Sequence, residues 1–226
     1  VSHAEHPELA PSASRVVAFV GPFGSGKTEL AINYALAALE GGRATCLIDL
    51  DVVTPYFRVG DYREQLAARG LRVIAPEGAP AKFETPSLPP EIAGALSQRD
   101  LHVVLDVGGD PVGARLLRVY AGQLQSGGCE VWMVVNPFRP SSGTPQAVVE
   151  QARAIQESSL LRVTGLIADP HLGPATEPAH VRTGLEEVRQ VAAETGLPLV
   201  GVAVERSLLG QLPPLAVPVL PLSLMV

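Results

Sequence analysis

Lysine is almost missing from this chain: 226 residues hold two, Lys27 and Lys82. No basic run occurs anywhere, and the net charge is −6. That balance excludes a nonspecific nucleic-acid surface, which needs clustered positive charge against phosphates. Cysteine is as scarce. Cys46 and Cys129 lie far apart with no C-x-x-C, which excludes a zinc knuckle or an iron–sulfur carrier and leaves two buried thiols as the reading. Aromatics make up 4% of the chain against 46% apolar residues, so the core must be built from Ala, Val and Leu. No apolar stretch approaches the roughly 20 residues of a membrane span. The start of the chain lacks a basic region followed by an apolar one, and the last residues are too short and uncharged for an amphipathic anchor. The expectation is a cytoplasmic protein with no membrane and no nucleic-acid partner.

What is present is concentrated in one string. Residues 21–28 read Gly-Pro-Phe-Gly-Ser-Gly-Lys-Thr, a complete G-x-x-x-x-G-K-[ST] pattern. It follows the apolar run Val-Val-Ala-Phe-Val and precedes a helix-like stretch over 29–40, the strand–loop–helix context that the pattern requires. From this composition it should arise by chance about 0.002 times. Gly21, Gly24 and Gly26 let consecutive N–H groups turn inward on an anion, and the helix N-terminus adds its dipole. Lys27 can reach terminal phosphates, and the Thr28 hydroxyl can ligate Mg²⁺. Phe23, Ser25 and Glu29 complete the residues expected here to bind the nucleotide. The chain is therefore expected to bind a nucleoside triphosphate with Mg²⁺.

Around that loop, apolar runs at 16–20, 44–48, 71–75, 101–105, 131–135, 163–168 and 199–202 alternate with helix-like segments. Asp110-Pro111, Thr144-Pro145 and Glu177-Pro178 each place Pro at a helix start. Strands apolar on both faces and alternating with helices predict an α/β fold of three layers: a mostly parallel sheet of about seven strands with helices on both faces. Residues 217–220 can add a short last strand at the edge. Residues 1–14 read as a flexible lead-in, and 15–226 as a single P-loop nucleotide-binding domain. Five prolines between 76 and 90 predict an extended surface excursion. There is no internal repeat and no low-complexity tract.

Three strand ends carry further chemistry. Asp49 and Asp51 alternate at the carboxyl end of the second strand, where parallel sheets bind ligands, and so point the same way. The fourth strand ends in Asp106-Val107-Gly108-Gly109, an apolar run ending in the carboxylate that P-loop enzymes place on the Mg²⁺ side. The glycines after it let a backbone N–H approach the γ-phosphate. The loops carrying Asn136 and Pro137, Asp169, and Val204 and Glu205 should by position wall the base and ribose. His171 and His180 are assigned no role.

In that order and spacing, residues 21–28, Ile48-Asp49-Leu50-Asp51 and Leu105-Asp106-Val107-Gly108-Gly109 resemble the MinD/ParA class of P-loop ATPases. That class includes the nitrogenase iron protein and the CobQ/CobB-like enzymes. Val135-Asn136-Pro137 and Gly201-Val202-Ala203-Val204-Glu205 are similar to its later segments, so the resemblance runs over roughly residues 15–222. Within it, residues 49–58 and 106–115 look like a set of uncharacterised stand-alone members. The resemblance implies ATP rather than GTP, in keeping with the lack of an Asn-Lys-x-Asp guanine-reading motif. It implies that Asp51 positions the attacking water and that Asp49 or Asp106 supports the metal.

One position departs from the class. Many relatives carry a second lysine after the first loop glycine, reaching across a nucleotide-sandwich dimer; here it is Pro22, which leaves a homodimer open. Either the trans contact is absent, or an arginine such as Arg58 or Arg115 supplies it, since a guanidinium fork suits phosphate oxygens. Three functions stay open: a slow ATPase switch read by a protein partner, which is favoured, a CobB-like small-molecule phosphotransferase or ligase, and a nucleotide-binding module without turnover.

Overall fold

The computed structural model describes residues 6–51, 58–76, 89–109 and 111–225. Most of the proline-rich excursion, Lys82, the middle of the 49–58 segment and the Asp110 cap lie outside them.

Eight strands form one sheet: β1 (Val16–Val20), β2 (Thr45–Leu50), β3 (Arg72–Ile74), β4 (His102–Val107), β5 (Cys129–Val135), β6 (Gly165–Ala168), β7 (Leu199–Glu205) and β8 (Val219–Leu222). Their order is β3-β2-β4-β1-β5-β6-β7-β8, and every pairing is parallel. The eighth, β8, is the short edge strand expected around 217–220, starting two residues later. β2, β4 and β7 extend past their apolar runs, because Asp49, Asp106 and Glu205 stay in the ladder; Asp49 pairs in register with Asp106 and Glu205 with Leu222.

The helices are α1 (Lys27–Glu40), α2 (Arg63–Ala68), α3 (Glu91–Ser97), α4 (Pro111–Val119), α5 (Ala121–Ser126), α6 (Pro145–Ser159), α7 (Pro178–Thr195) and α8 (Arg206–Leu209). Strand residues alternate between two cores. Val17, Phe19, Leu47, Val104 and Val134 pack with α1 and α2 on one face. Val16, Ala18, Val20, Leu105 and Met133 pack with α3 to α8 on the other. Three layers result. By this alternation Asp49 and Asp106 fall on the α1 side, the side of the Gly-Lys-Thr string. Thr144 caps α6 as expected, accepting from Ala147 N at 3.2 Å with Pro145 next in line. No described helix is long and apolar enough to cross a membrane.

Part of the 6–14 segment makes specific contacts with β8 and α1. Leu9 N donates to Val219 O at 2.8 Å and Val219 N to Pro7 O at 2.7 Å. Leu9 is buried, and Ser12 N donates to the Tyr34 hydroxyl at 2.7 Å. The segment has partners at the outer edge of β8 that composition does not reveal.

Candidate nucleotide-binding site

The loop between β1 and α1 takes its shape from its glycines. Gly21, Gly24 and Gly26 have φ of 138°, 72° and 91°. Gly26 stands at the N-terminus of α1 in the left-handed region, and its carbonyl accepts from Leu30 N at 3.0 Å. Lys27 curls back over the loop and donates from Nζ to Pro22 O at 3.0 Å. Gly109 comes in from the end of β4. A Cβ there would lie 2.7 Å from Phe23 N and 2.9 Å from Lys27 Nζ, so the bare backbone of Gly109 is what allows the two loops to meet.

Asp49 and Asp106 lie beneath this junction. Asp49 Oδ1 accepts from Asp51 N at 2.9 Å and Oδ2 from Gly60 N at 3.4 Å. Burial pushes its carboxyl up to about 6, opposed by the Arg58 charge and those two N–H groups. Asp106 is raised further, to about 8, by burial and then by the Asp49 charge; Lys27 and the Thr28 hydroxyl pull the other way. Both Asp106 oxygens are buried without a satisfying hydrogen-bond geometry among the described residues. A buried carboxylate with unmet oxygens, beside Thr28 and Lys27, fits a hard cation that takes one or two protein oxygens and keeps waters and phosphate oxygens as its other ligands. Thr28 and Asp106 would hold it. Asp49 is engaged instead in shaping the turn that carries Asp51.

A cavity of about 350 Å³ opens from the loop toward the ends of β6, β7 and β8. Of the expected residues, Phe23, Gly24, Gly26, Lys27, Thr28, Glu29, Asp51, Val204 and Glu205 line it. Gly21 and Ser25 belong to the loop but not to the lining. Asn136 and Pro137 are not in the wall either. Asn136 is fully buried; its Nδ2 donates to His171 O at 2.9 Å and its Oδ1 accepts from Phe138 N at 3.1 Å. It therefore braces the loop after β6 from behind. Glu29 Oε1 accepts from Met225 N at 2.8 Å.

Asp169, on one of the later loops expected to wall the site, lines the cavity. Asp169 is buried at the end of β6, and a Cβ on Gly26 would fall 1.8 Å from its Oδ2. Burial, then the Glu29 charge, holds its carboxyl well above the ordinary range. His171 Nε2 stands 3.6 Å from Asp169 Oδ2, and burial lowers its pKa. Arg139, Thr176, Leu208, Leu222 and Leu224 also line the cavity, with no motif to announce them. Arg58 lies close enough to act on Asp49, and its Nε is buried without a partner among the described residues. Arg115 is exposed on α4.

No protein-family model matches the sequence, and no curated protein does. Solved structures match it. The chain is similar to the cell division protein FtsY from Thermotoga maritima (TM-score 0.56, 22% identity, covering 88% of this chain and 64% of that one). It is similar to the 54 kDa signal recognition particle protein from Aeropyrum pernix K1 in complex with GDP (0.54, 23%, 95% and 47%). FlhF complexed with GTP/Mg²⁺ also matches (0.52, 14%, 87% and 68%). The chain thus spans less than two thirds of the length of the first two. At these identities the likeness establishes the fold alone, an α/β P-loop NTPase-like fold with an eight-stranded, all-parallel sheet, and it does not single out the MinD/ParA class.

Proposed function

We propose that this chain is a Mg²⁺-dependent nucleotide switch that binds ATP, hydrolyses it slowly and is read by a protein partner in the cytoplasm. The observation that carries this reading is the meeting of Gly109 with Phe23 and Lys27 above the Asp106–Thr28 pair. A γ-phosphate bound by Lys27 would lie beside the Gly109 backbone, so its arrival and loss act directly on the β4–α4 connection, the kind of segment that nucleotide switches order and release. Lys27 neutralises developing charge on the transferred group, while Asp51, buried and in the cavity wall, positions the attacking water. Bound Mg²⁺ supplies further charge neutralisation on the phosphates. Water adds to the γ-phosphorus, the bond to the β–γ bridging oxygen breaks, and ADP and phosphate leave.

Adenine is favoured by the lack of Asn-Lys-x-Asp in the sequence, although FlhF and the 54 kDa protein were solved with guanine nucleotides. Phosphate release by purified protein with ATP and Mg²⁺ tests the reading. Slow turnover is expected, Asp51→Ala should bind without turnover, and Lys27→Ala should lose triphosphate binding. Stoichiometric phosphate transfer to a metabolite would overturn the switch in favour of a phosphotransferase. Tighter competition by GTP than by ATP would overturn the base assignment.

A further inference from the structure

Residues 223–225 leave β8 and run along the first turns of α1. Asn33 holds Ser223 from two sides: Oδ1 accepts from Ser223 N at 2.8 Å, and Nδ2 donates to Ser223 O at 3.3 Å. The same Nδ2 donates to Glu29 O at 2.9 Å, which fixes the amide on the helix. One turn earlier Glu29 Oε1 accepts from Met225 N at 2.8 Å. Both anchors are buried, and Glu29 directly follows Thr28. The phosphate-binding helix is thus tied by three hydrogen bonds to a segment far away in sequence.

That segment shapes the cavity. Near the loop the lining is polar, with Lys27, Thr28 and Asp51. Away from it apolar side chains, Val181, Ala203, Val204, Leu208, Leu222 and Leu224, share the lining with Thr176 and Glu205. A volume of about 350 Å³ falls in the range of roughly 300–1,000 Å³ in which proteins enclose small ligands. Leu224 is half exposed at this wall, an apolar side chain held in place yet not covered by the protein itself. Three hydrogen bonds that immobilise an uncovered leucine make sense where a flat apolar group lies against it.

We propose that residues 222–225 form the wall on which the nucleoside of a bound triphosphate packs, and that Asn33 and Glu29 are positioning residues that hold this wall. The inference rests on the nucleotide reading above and divides the site in two: the loop grips phosphate, and the strap grips base and ribose. Leu224 touches the ligand, whereas Asn33 acts through Ser223.

Titration of the full chain with ATP and with inorganic tripolyphosphate, both with Mg²⁺, tests it. Asn33→Ala and Leu224→Ala should each weaken ATP by about tenfold while leaving tripolyphosphate within about twofold of the parent. Equal ATP affinity in both variants overturns the proposal, as do parallel losses for ATP and tripolyphosphate. If Asn33→Ala fails to fold, Leu224→Ala, at a half-exposed position, decides alone. A parent chain that binds tripolyphosphate but shows no variant-specific loss of ATP leaves the phosphate site standing and removes the strap. A parent that binds neither probe removes both.

Discussion

Replacing Gly26 with alanine should unsettle the protein for two separable reasons. The first is conformational. Gly26 has φ 91° and ψ 7°, and an L-residue in the left-handed region costs about 1–2 kcal/mol. The second is steric. The new Cβ would stand 1.8 Å from Asp169 Oδ2 and 3.1 Å from its Cγ, so the buried carboxyl must leave its place, at the roughly 1–3 kcal/mol typical of overpacking. Gly26→Ala should therefore cost about 2–5 kcal/mol in all. Asp169→Ala alone should cost little, because burial already denies its charged form any advantage. In the double variant the clash is gone and only the conformational cost remains. Urea midpoints of the four proteins close a double-mutant cycle, with an expected coupling of about 1–3 kcal/mol in favour of the double variant. Additivity within about 0.5 kcal/mol would refute the contact, and with it the placement of Asp169 under the phosphate loop.

His102 gives a pH test at the opposite end of the sheet. It is buried, its ring centroid is 5.9 Å from that of Tyr34, and burial, then the Arg43 charge, pulls its pKa to about 4 from 6.5. The neutral ring belongs to the folded state, so its contribution is whole above pH 6.5 and is lost as pH falls toward 4. After discounting for screening this amounts to about 1–2 kcal/mol. As pH falls from 7 to 4 the parent should lose stability relative to His102→Leu by that amount, read from the two urea midpoints, and a pH-independent difference would contradict the assignment. Between the two arginines raised as stand-ins for the missing lysine, Arg58→Ala should slow phosphate release at least about tenfold and Arg115→Ala should not, because Arg58 acts on Asp49 beneath the site while Arg115 is exposed.

The layered architecture was legible because strands buried on both faces cannot disguise their apolar runs, and the phosphate loop because its glycines and lysine admit few substitutes. β8 was harder to read, since Pro218 and Pro221 interrupt the pattern; it forms because β7 offers a parallel edge for residues 219–222. Within the site, the loop residues and the strand-end residues Asp51, Val204 and Glu205 were readable, whereas residues that belong to no motif were not. Asn136 was placed in the wall by analogy of position, yet its amide turns to the His171 carbonyl behind it. Glu29, expected among the nucleotide-binding residues, lines the cavity, while its carboxylate also accepts from Met225 N, a partner that no motif announces. Leu222 and Leu224 carry no motif at all. Their place depends on pairings of α1 with residues 190 or more positions away, which local spacing does not encode.

The short pairing of Pro7 and Leu9 with Val219 bears on solubility. β8 ends the sheet, and a bare terminal strand offers its backbone to any other extended chain, the usual beginning of strand-by-strand aggregation. Here Val219 has both its N–H and its carbonyl engaged. Pro218 and Pro221 lack N–H donors. Residues 7–9 thus act as a selvedge, finishing the border of the sheet so that it does not unravel or catch on a neighbour.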